Sequence, residues 1–240
     1  MRIFVGFDDT DSLESDYGTG KVVRWFKDEM PDGCRLWGVV RQQLLVDERI
    51  PYTSHNSSAC AVIDAPDPSF LKLIISSAMT HIEKHAVAGS DPGVCVSHEE
   101  DSNLANIIAF GQQCTREVVN KDDARRSASR IHLSGHGGTH DGIIGAAAAV
   151  GLTAYGWSGR FIEYGELRAF SGEVTVAEME RHGIAVVSVD RQAPLPSPGD
   201  TIHTGGWLRP RLWGNRPVLP VSLGEKNEWI CLGRKGKKEE

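Results

Sequence analysis

Through residue 97 the hydrophobic pattern alternates between short apolar runs and helical stripes, and the order of those switches leaves few possible folds. "RIFVGF" (2–7) ends at an acidic loop, as a strand does when it delivers its C-terminal end to a turn. "GKVVRWFKDEM" carries Val22, Val23, Phe26 and Met30 at helical spacing, and "PDG" stops it. "CRLWGVVRQQLLV" and "ACAVIDA" read as strands on either side of the polar loop "IPYTSHNSS". "PDPSFLKLIISSAMTHIEKHA" is an amphipathic helix opened by Pro and Asp, and "GVCVS" is a strand. The order is β-α-β-β-α-β, the ferredoxin-like split arrangement.

Beyond it, "NLANIIAFGQQCTREVV" repeats the helical pattern, and a second unit opens at "SRIHLSGHGGTHDG". There "IHLS" is a strand, a glycine-rich turn follows, and "GIIGAAAAVGLTAYG" is a helix of small residues. Ala146 to Ala149, flanked by glycines, would let that helix approach another backbone closely. "RFIEYGEL" reads as a strand, "TVAEMERHG" as a short helix and "IAVVSVD" as a strand, before the long turn or linker "RQAPLPSPGD". The Gly-, Pro- and Trp-rich remainder suggests short strands and hairpins, and "RKGKKEE" a frayed, charged tail. The class is α+β, in two small domains.

A chain of 240 residues can bury a substantial core, and 40% hydrophobic with 24% charged residues is ordinary for a soluble protein. A net charge of −6 argues against a broad electrostatic grip on nucleic acid, though not against a local basic groove. No apolar run approaches membrane-spanning length, and the early acidic turn in "MRIFVGFDD" does not suit a signal peptide. Cys34, Cys60, Cys95, Cys114 and Cys231 are scattered without a CxxC pair, so cytoplasmic localisation is expected, with Cys60 and Cys95 as small core residues.

The chemistry concentrates in "GFDDTDS". Asp8, Asp9 and Asp11 at a strand end are hard oxygen donors suited to Mg²⁺, which commonly shares substrate phosphates; the alternative is a capped Asx turn with Thr10 and Ser12. Gly18, Thr19, Gly20 and Lys21 follow at a helix start, where free amides and an ammonium suit a phosphate, although the run is not a Walker A loop. His55, Asn56 and Ser57 could recognise a base or polar substrate. The turn holding Gly137, Gly138, His140 and Asp141 could bind an anion or substrate; with His136 it could instead hold a hydrolytic metal. His81 and His85 lie one turn apart on a helix, with no third ligand near them in sequence.

"GFDDTDS", "IPYTSHNSSACAV", "SDPGVCV" and "GIIGAAAAVG", in that order, resemble the archaeal family of isoleucine-tRNA agmatinylcytidine synthetases. The resemblance covers roughly residues 1 to 190, and its first and last motifs are the specific ones. It implies a kinase-like ATP- and Mg²⁺-binding domain over 1–130 and a ferredoxin-like domain over 131–195, leaving the β-rich segment over 196–240 to composition alone. By it, Asp8, Asp9 and Asp11 become metal and ATP ligands, in an enzyme that activates a cytidine oxygen with ATP for displacement by agmatine.

The departures are equally specific. "GTGK" replaces a threonine-bearing run whose threonine the family phosphorylates; His55 and Asp141 stand where the family has arginines, and Ser57 where it has asparagine. The chain holds no zinc-ribbon cysteines, and its last 45 or so residues are too few for an OB-fold with a ribbon. The expectation is ATP-dependent phosphoryl or nucleotidyl activation of a small molecule, or of an RNA presented by a partner protein. The alternative is a nucleotide-binding module or regulatory subunit that keeps the fold without the reaction.

Overall fold

A computed structural model describes residues 1–12, 14–51, 55–192, 194–224 and 228–232; part of the 50–58 loop and the 234–240 tail lie outside the described residues. The chain begins with β1 (Arg2–Asp8), α1 (Thr19–Trp25), a 3-10 helix (Phe26–Glu29), β2 (Arg35–Gln43), β3 (Ser57–Asp64), α2 (Phe70–His85) and β4 (Gly93–His98). These strands lie in the order β4-β1-β3-β2, each antiparallel to its neighbour. The element order read from hydrophobic period is therefore the order observed.

Next come α3 (Leu104–Gln113), α4 (Lys121–Ser127), β5 (His132–Gly135) and α5 (Gly142–Tyr155). Sequence reading assigned no helix at α4, although "NKDD" signals one: Asn120 and Asp123 form a reciprocal capping box at its start. Strand alternation sorts the side chains to two faces. Ile3, Val5 and Phe7 of β1 pack with α1 and α2, joining Val23, Phe26, Ile74 and Ile82. Phe4, Cys60 and Cys95 face the other way, onto Ile107, Phe110 and the alanines of α5. The sheet thus carries helices on both faces, and the two cysteines are the core residues expected.

The small residues of α5 do what their size allows. A Cβ on Gly6 of β1 would sit 2.1 Å from the Ala146 carbonyl oxygen, and one on Gly151 of α5 would sit 2.0 Å from the Ile107 carbonyl oxygen. Only backbone fits at those crossings. Ala124, Ala128, Ile131 and Ile143 share one core cluster on either side of residue 130. β5 extends the first sheet beside β4, and α5 shares a core with Phe4, Cys60 and Cys95.

β6 (Arg160–Glu163) then pairs with β2 and continues the sheet outward. β7 (Glu173–Thr175), α6 (Val176–Arg181), β8 (Ala185–Ser188), β9 (Thr201–His203), β10 (Arg211–Trp213), β11 (Arg216–Leu223) and β12 (Trp229–Cys231) complete a mixed twelve-stranded sheet. β8 runs parallel to β11 and β9 parallel to β12. Phe161, Met179, Ile184, Leu219 and Trp229 form a separate core there. The expected C-terminal hairpin is β10–β11, turned by Gly214 and Asn215, both with positive φ (62° and 59°). Among the described residues no helix is long and apolar enough to cross a membrane.

Gly6→Ala should lower stability by about 2–3 kcal/mol, because an added methyl meets immovable backbone. Gly172→Ala, whose Cβ would meet nothing within 4 Å, should be nearly neutral. Urea denaturation midpoints of the two variants check both expectations.

Candidate functional site

One end of the first sheet gathers the chemistry. Asp8 closes β1 directly opposite Gly93, the first residue of β4; β3 begins and β5 ends at the same edge. The first turn of α5 passes over this edge so closely that a Cβ on Gly145 would lie 1.7 Å from an Asp8 carboxylate oxygen. Burial, together with the Asp9 charge, pushes the Asp8 carboxyl well above its ordinary value.

Asp9 follows in the left-handed region, φ 52°, which a residue without glycine's freedom adopts only when its surroundings compel it. Its pKa is raised to about 6 by burial and by the charges of Asp91, Asp11 and Asp141, against a hydrogen bond from the Asp91 amide. Asp11 instead anchors the loop to α1: its carboxylate accepts from the Thr19 amide (3.2 Å) and hydroxyl (2.9 Å). Thr10 is fully buried and donates both its amide and its hydroxyl to the Thr19 hydroxyl oxygen. The Ser12 amide donates to the Ser15 hydroxyl, 2.8 Å away.

The "GTGK" stretch behaves differently from an open phosphate cradle. Gly18 is the N-cap of α1, and a Cβ on Gly20 would press to 2.9 Å from Ile162. The Lys21 ammonium lies over the rings of Tyr17 and Trp25, 5.8 and 5.4 Å from their centroids.

The second glycine loop already holds an anion, the side chain of Asp91. Its carboxylate accepts from the Thr139 amide (2.7 Å) and hydroxyl (2.6 Å). A Cβ on Gly138 would fall 1.4 Å from the same carboxylate, and one on Gly137 would fall 3.0 Å from the Ser90 carbonyl oxygen. Gly138 makes room for Asp91, and Gly137 for Ser90 and Pro92. His140 (φ 65°) folds back so that a Cβ on Gly135 would strike it.

Asp141 pairs with Lys121 at 3.0 Å; burial opposes it, but the Thr139 hydrogen bond and the Lys121 ammonium hold its carboxyl below the ordinary value. Lys121 also donates to the Thr139 carbonyl, 2.6 Å away. His136 is engaged elsewhere, with the Ser134 hydroxyl at 2.8 Å and Glu83 at 3.0 Å, so His136, His140 and Asp141 do not converge as metal ligands.

At the start of β3 the Asn56 side chain donates to the Leu45 carbonyl, and the Ser57 hydroxyl to the His55 carbonyl. These contacts close the β2–β3 connection. A groove of about 330 Å³ is lined by Arg125, Ser129, Leu133, Gly135 and His140, and none of Asp8, Asp9 or Asp11 reaches it.

Two members of the site escaped sequence reading. Asp91 lies in "SDPGVCV", where sequence reading assigned it no role of its own, and Lys121 belongs to the unrecognised α4. The result is five carboxylates, Asp8, Asp9, Asp11, Asp91 and Asp141, linked through their charges, with one ammonium beside them. No three of these carboxylates bring oxygens within 4.8 Å of one another, but crowded hard oxygen donors at a strand end are the type a hard divalent cation takes.

Among the described residues the fold is mixed α/β, with a large mixed sheet and six α-helices, and it is similar to the fold of a tRNA-modifying enzyme. That enzyme is TiaS, the agmatidine synthetase of an isoleucine tRNA: its apo crystal structure aligns with TM-score 0.52 and 23% identity, over 63% of this chain and 35% of that one. The complex of TiaS with its isoleucine tRNA and ATP aligns with TM-score 0.52 and 24% identity, over 63% of this chain and 36% of that one. The complex of TiaS with the same tRNA, AMPCPP and agmatine gives 0.52 and 23%, with the same coverage. The likeness is one of fold, and the chain spans about a third of the length of these TiaS chains. No family model and no curated protein matches it.

Asp9→Asn should stabilise the protein in chelator at pH 7 by roughly 1–2 kcal/mol, a few degrees in Tm, because it removes one repelling charge and tolerates the left-handed backbone. Asp9 titrates higher in the folded chain (about 6) than its ordinary 3.8, so the wild-type penalty is absent below about pH 4 and grows as pH rises through 6. Thermal melts at pH 4.5 and 7.5 check this: the gap between variant and wild type should widen with pH.

Proposed function

We propose that the chain binds ATP with Mg²⁺ at the end of β1 and uses it for phosphoryl- or nucleotidyl-type activation of an acceptor. The observation that carries this reading is the uncompensated carboxylate pair Asp8 and Asp9, raised in pKa by burial and by neighbouring charge. It occurs in a fold similar to that of an enzyme solved with ATP. Asp8 and Asp9 would hold the metal; one or two carboxylates suffice, because Mg²⁺ keeps waters and takes phosphate oxygens for the rest. Bound Mg²⁺ supplies charge neutralisation for the phosphates.

The chain's own part is positioning. Asp11, Thr10 and Thr19 fix the loop that carries Asp9, and Lys121 brings an ammonium beside the cluster. Residues 1–155 would form the nucleotide-binding lobe, and 160–232 would flank the acceptor. The acceptor is a small molecule, or an RNA delivered by a partner, since the chain carries −6 net charge.

A second reading, nucleotide binding without transfer, is favoured by two specific contacts. Lys21 is turned onto Tyr17 and Trp25, and the Thr19 hydroxyl is tied to Asp11.

Thermal melts with Mg-ATP test the binding. At a hundredfold excess over Kd, linkage supplies about 2.7 kcal/mol, or roughly 5–10 °C for a chain of this size. Wild type should show that shift, and the double variant Asp8→Asn, Asp9→Asn should lose it; an unshifted wild type would contradict the proposal. ATP turnover across small-molecule and tRNA acceptors separates transfer from binding alone.

A further inference from the structure

Where the 3-10 helix meets the last turns of α2, whose end is hydrogen-bonded to the acidic loop from Val87 to Thr10 and from Tyr17 to His85, the chain builds a second cluster from other residues. Glu29 of the 3-10 helix and His81 and His85 of α2 place three ligand atoms within 4.8 Å of one another; among the described residues no other group does so. His81 Nδ1 lies 3.0 Å from one Glu29 oxygen and His85 Nε2 lies 3.0 Å from the other. The histidines stand one turn apart, with ring centroids 4.6 Å apart. Their third partner is 52 residues upstream of His81, which is why helical spacing alone left the pair incomplete.

His81 carries the decisive detail. Its side chain is fully buried against Phe7 and Phe26, and its Nε2 is 2.9 Å from the Val22 carbonyl oxygen. A carbonyl can only accept, so Nε2 holds the ring proton. In the neutral ring Nδ1 is then a lone pair, and it faces a carboxylate oxygen. Two acceptors face each other unless a cation stands between them. A second ring proton would serve too, but the ring is fully enclosed between Phe7 and Phe26, where an imidazolium has no water around it. Histidine ligands of metals show the same arrangement, with one nitrogen donating to a backbone carbonyl and the other free for the ion.

We propose that Glu29, His81 and His85 bind a late first-row divalent cation, Zn²⁺ above all, with water as the fourth ligand. Two imidazoles and one carboxylate are an established zinc donor set. Glu29 and His85 are each about one-fifth exposed, so the ion and its water have a path in. Without the ion, Lys84 supplies the positive charge, 2.7 Å from Glu29; its side chain is 62% exposed and free to swing aside. The ion would staple the segment that ends α1 to the last turn of α2. The site is independent of the nucleotide reading and uses none of its residues.

The test uses the full chain freed of metal with chelator. Calorimetry should find one equivalent of Zn²⁺, and Co²⁺ should give the intense visible bands of a four-coordinate site, displaced by Zn²⁺. His85→Ala and Glu29→Gln should each weaken Zn²⁺ binding at least about tenfold, while Asp8→Asn with Asp9→Asn should leave it unchanged. X-ray absorption of the zinc-loaded wild type, which needs no variant to fold, should show nitrogen and oxygen ligands with imidazole scattering. Absence of stoichiometric binding would overturn the proposal. So would a sulfur shell, a loss of less than about tenfold in either ligand variant, or a loss in the aspartate variant.

Discussion

The backbone of α5 crosses β1 and β4 with no room for a side chain between them, and much else depends on that contact. Gly6 meets Ala146, Gly93 meets Gly142, and Gly145 meets the Asp8 side chain, each at a separation a Cβ would close. The crossing sets the first turn of α5 over the end of β1. It also carries the 136–141 loop across to Asp91, whose carbonyl accepts from the Gly142 amide at 3.0 Å. Small residues here serve position rather than flexibility. They let a helix and a sheet edge act as one rigid wall for the acidic site.

That wall imposes an electrostatic cost. Asp8 is pressed beneath α5 and Asp91 is fixed by Thr139, while Asp9 sits between them on a left-handed backbone. Lys121 offsets part of the charge through Asp141. A cluster kept in this state against its own repulsion is the arrangement a divalent cation relieves, and relief on binding is a differential interaction that a capped turn lacks.

The element order was legible because hydrophobic period is a local property, and β1 to β4 and the close-packing role of α5 were read from it directly. The aspartates of 8–11 were legible as a group because they are contiguous. What sequence could not show was pairing between distant segments: Asp91 with Thr139, Lys121 with Asp141, Glu29 with His81 and His85. Glycine was the ambiguous letter. Gly137 and Gly138 read as an anion cradle; Gly138 does lie against a carboxylate, the chain's own Asp91, while Gly137 lies against Ser90 and Pro92. Lys21 followed the same loop logic and lies instead on two aromatic rings, Tyr17 among them from outside the helix. β5 joins the first sheet through pairing with β4, which no local pattern encodes.

The central claim is that the Asp8–Asp9 carboxylates form a divalent-cation site. Carbon-13 NMR of the aspartate side-chain carboxyls, titrated with and without Mg²⁺, tests it most directly. In chelator Asp9 should titrate near 6, and saturating Mg²⁺ should drive its midpoint well below the ordinary 3.8. A midpoint that Mg²⁺ leaves unmoved would contradict the account.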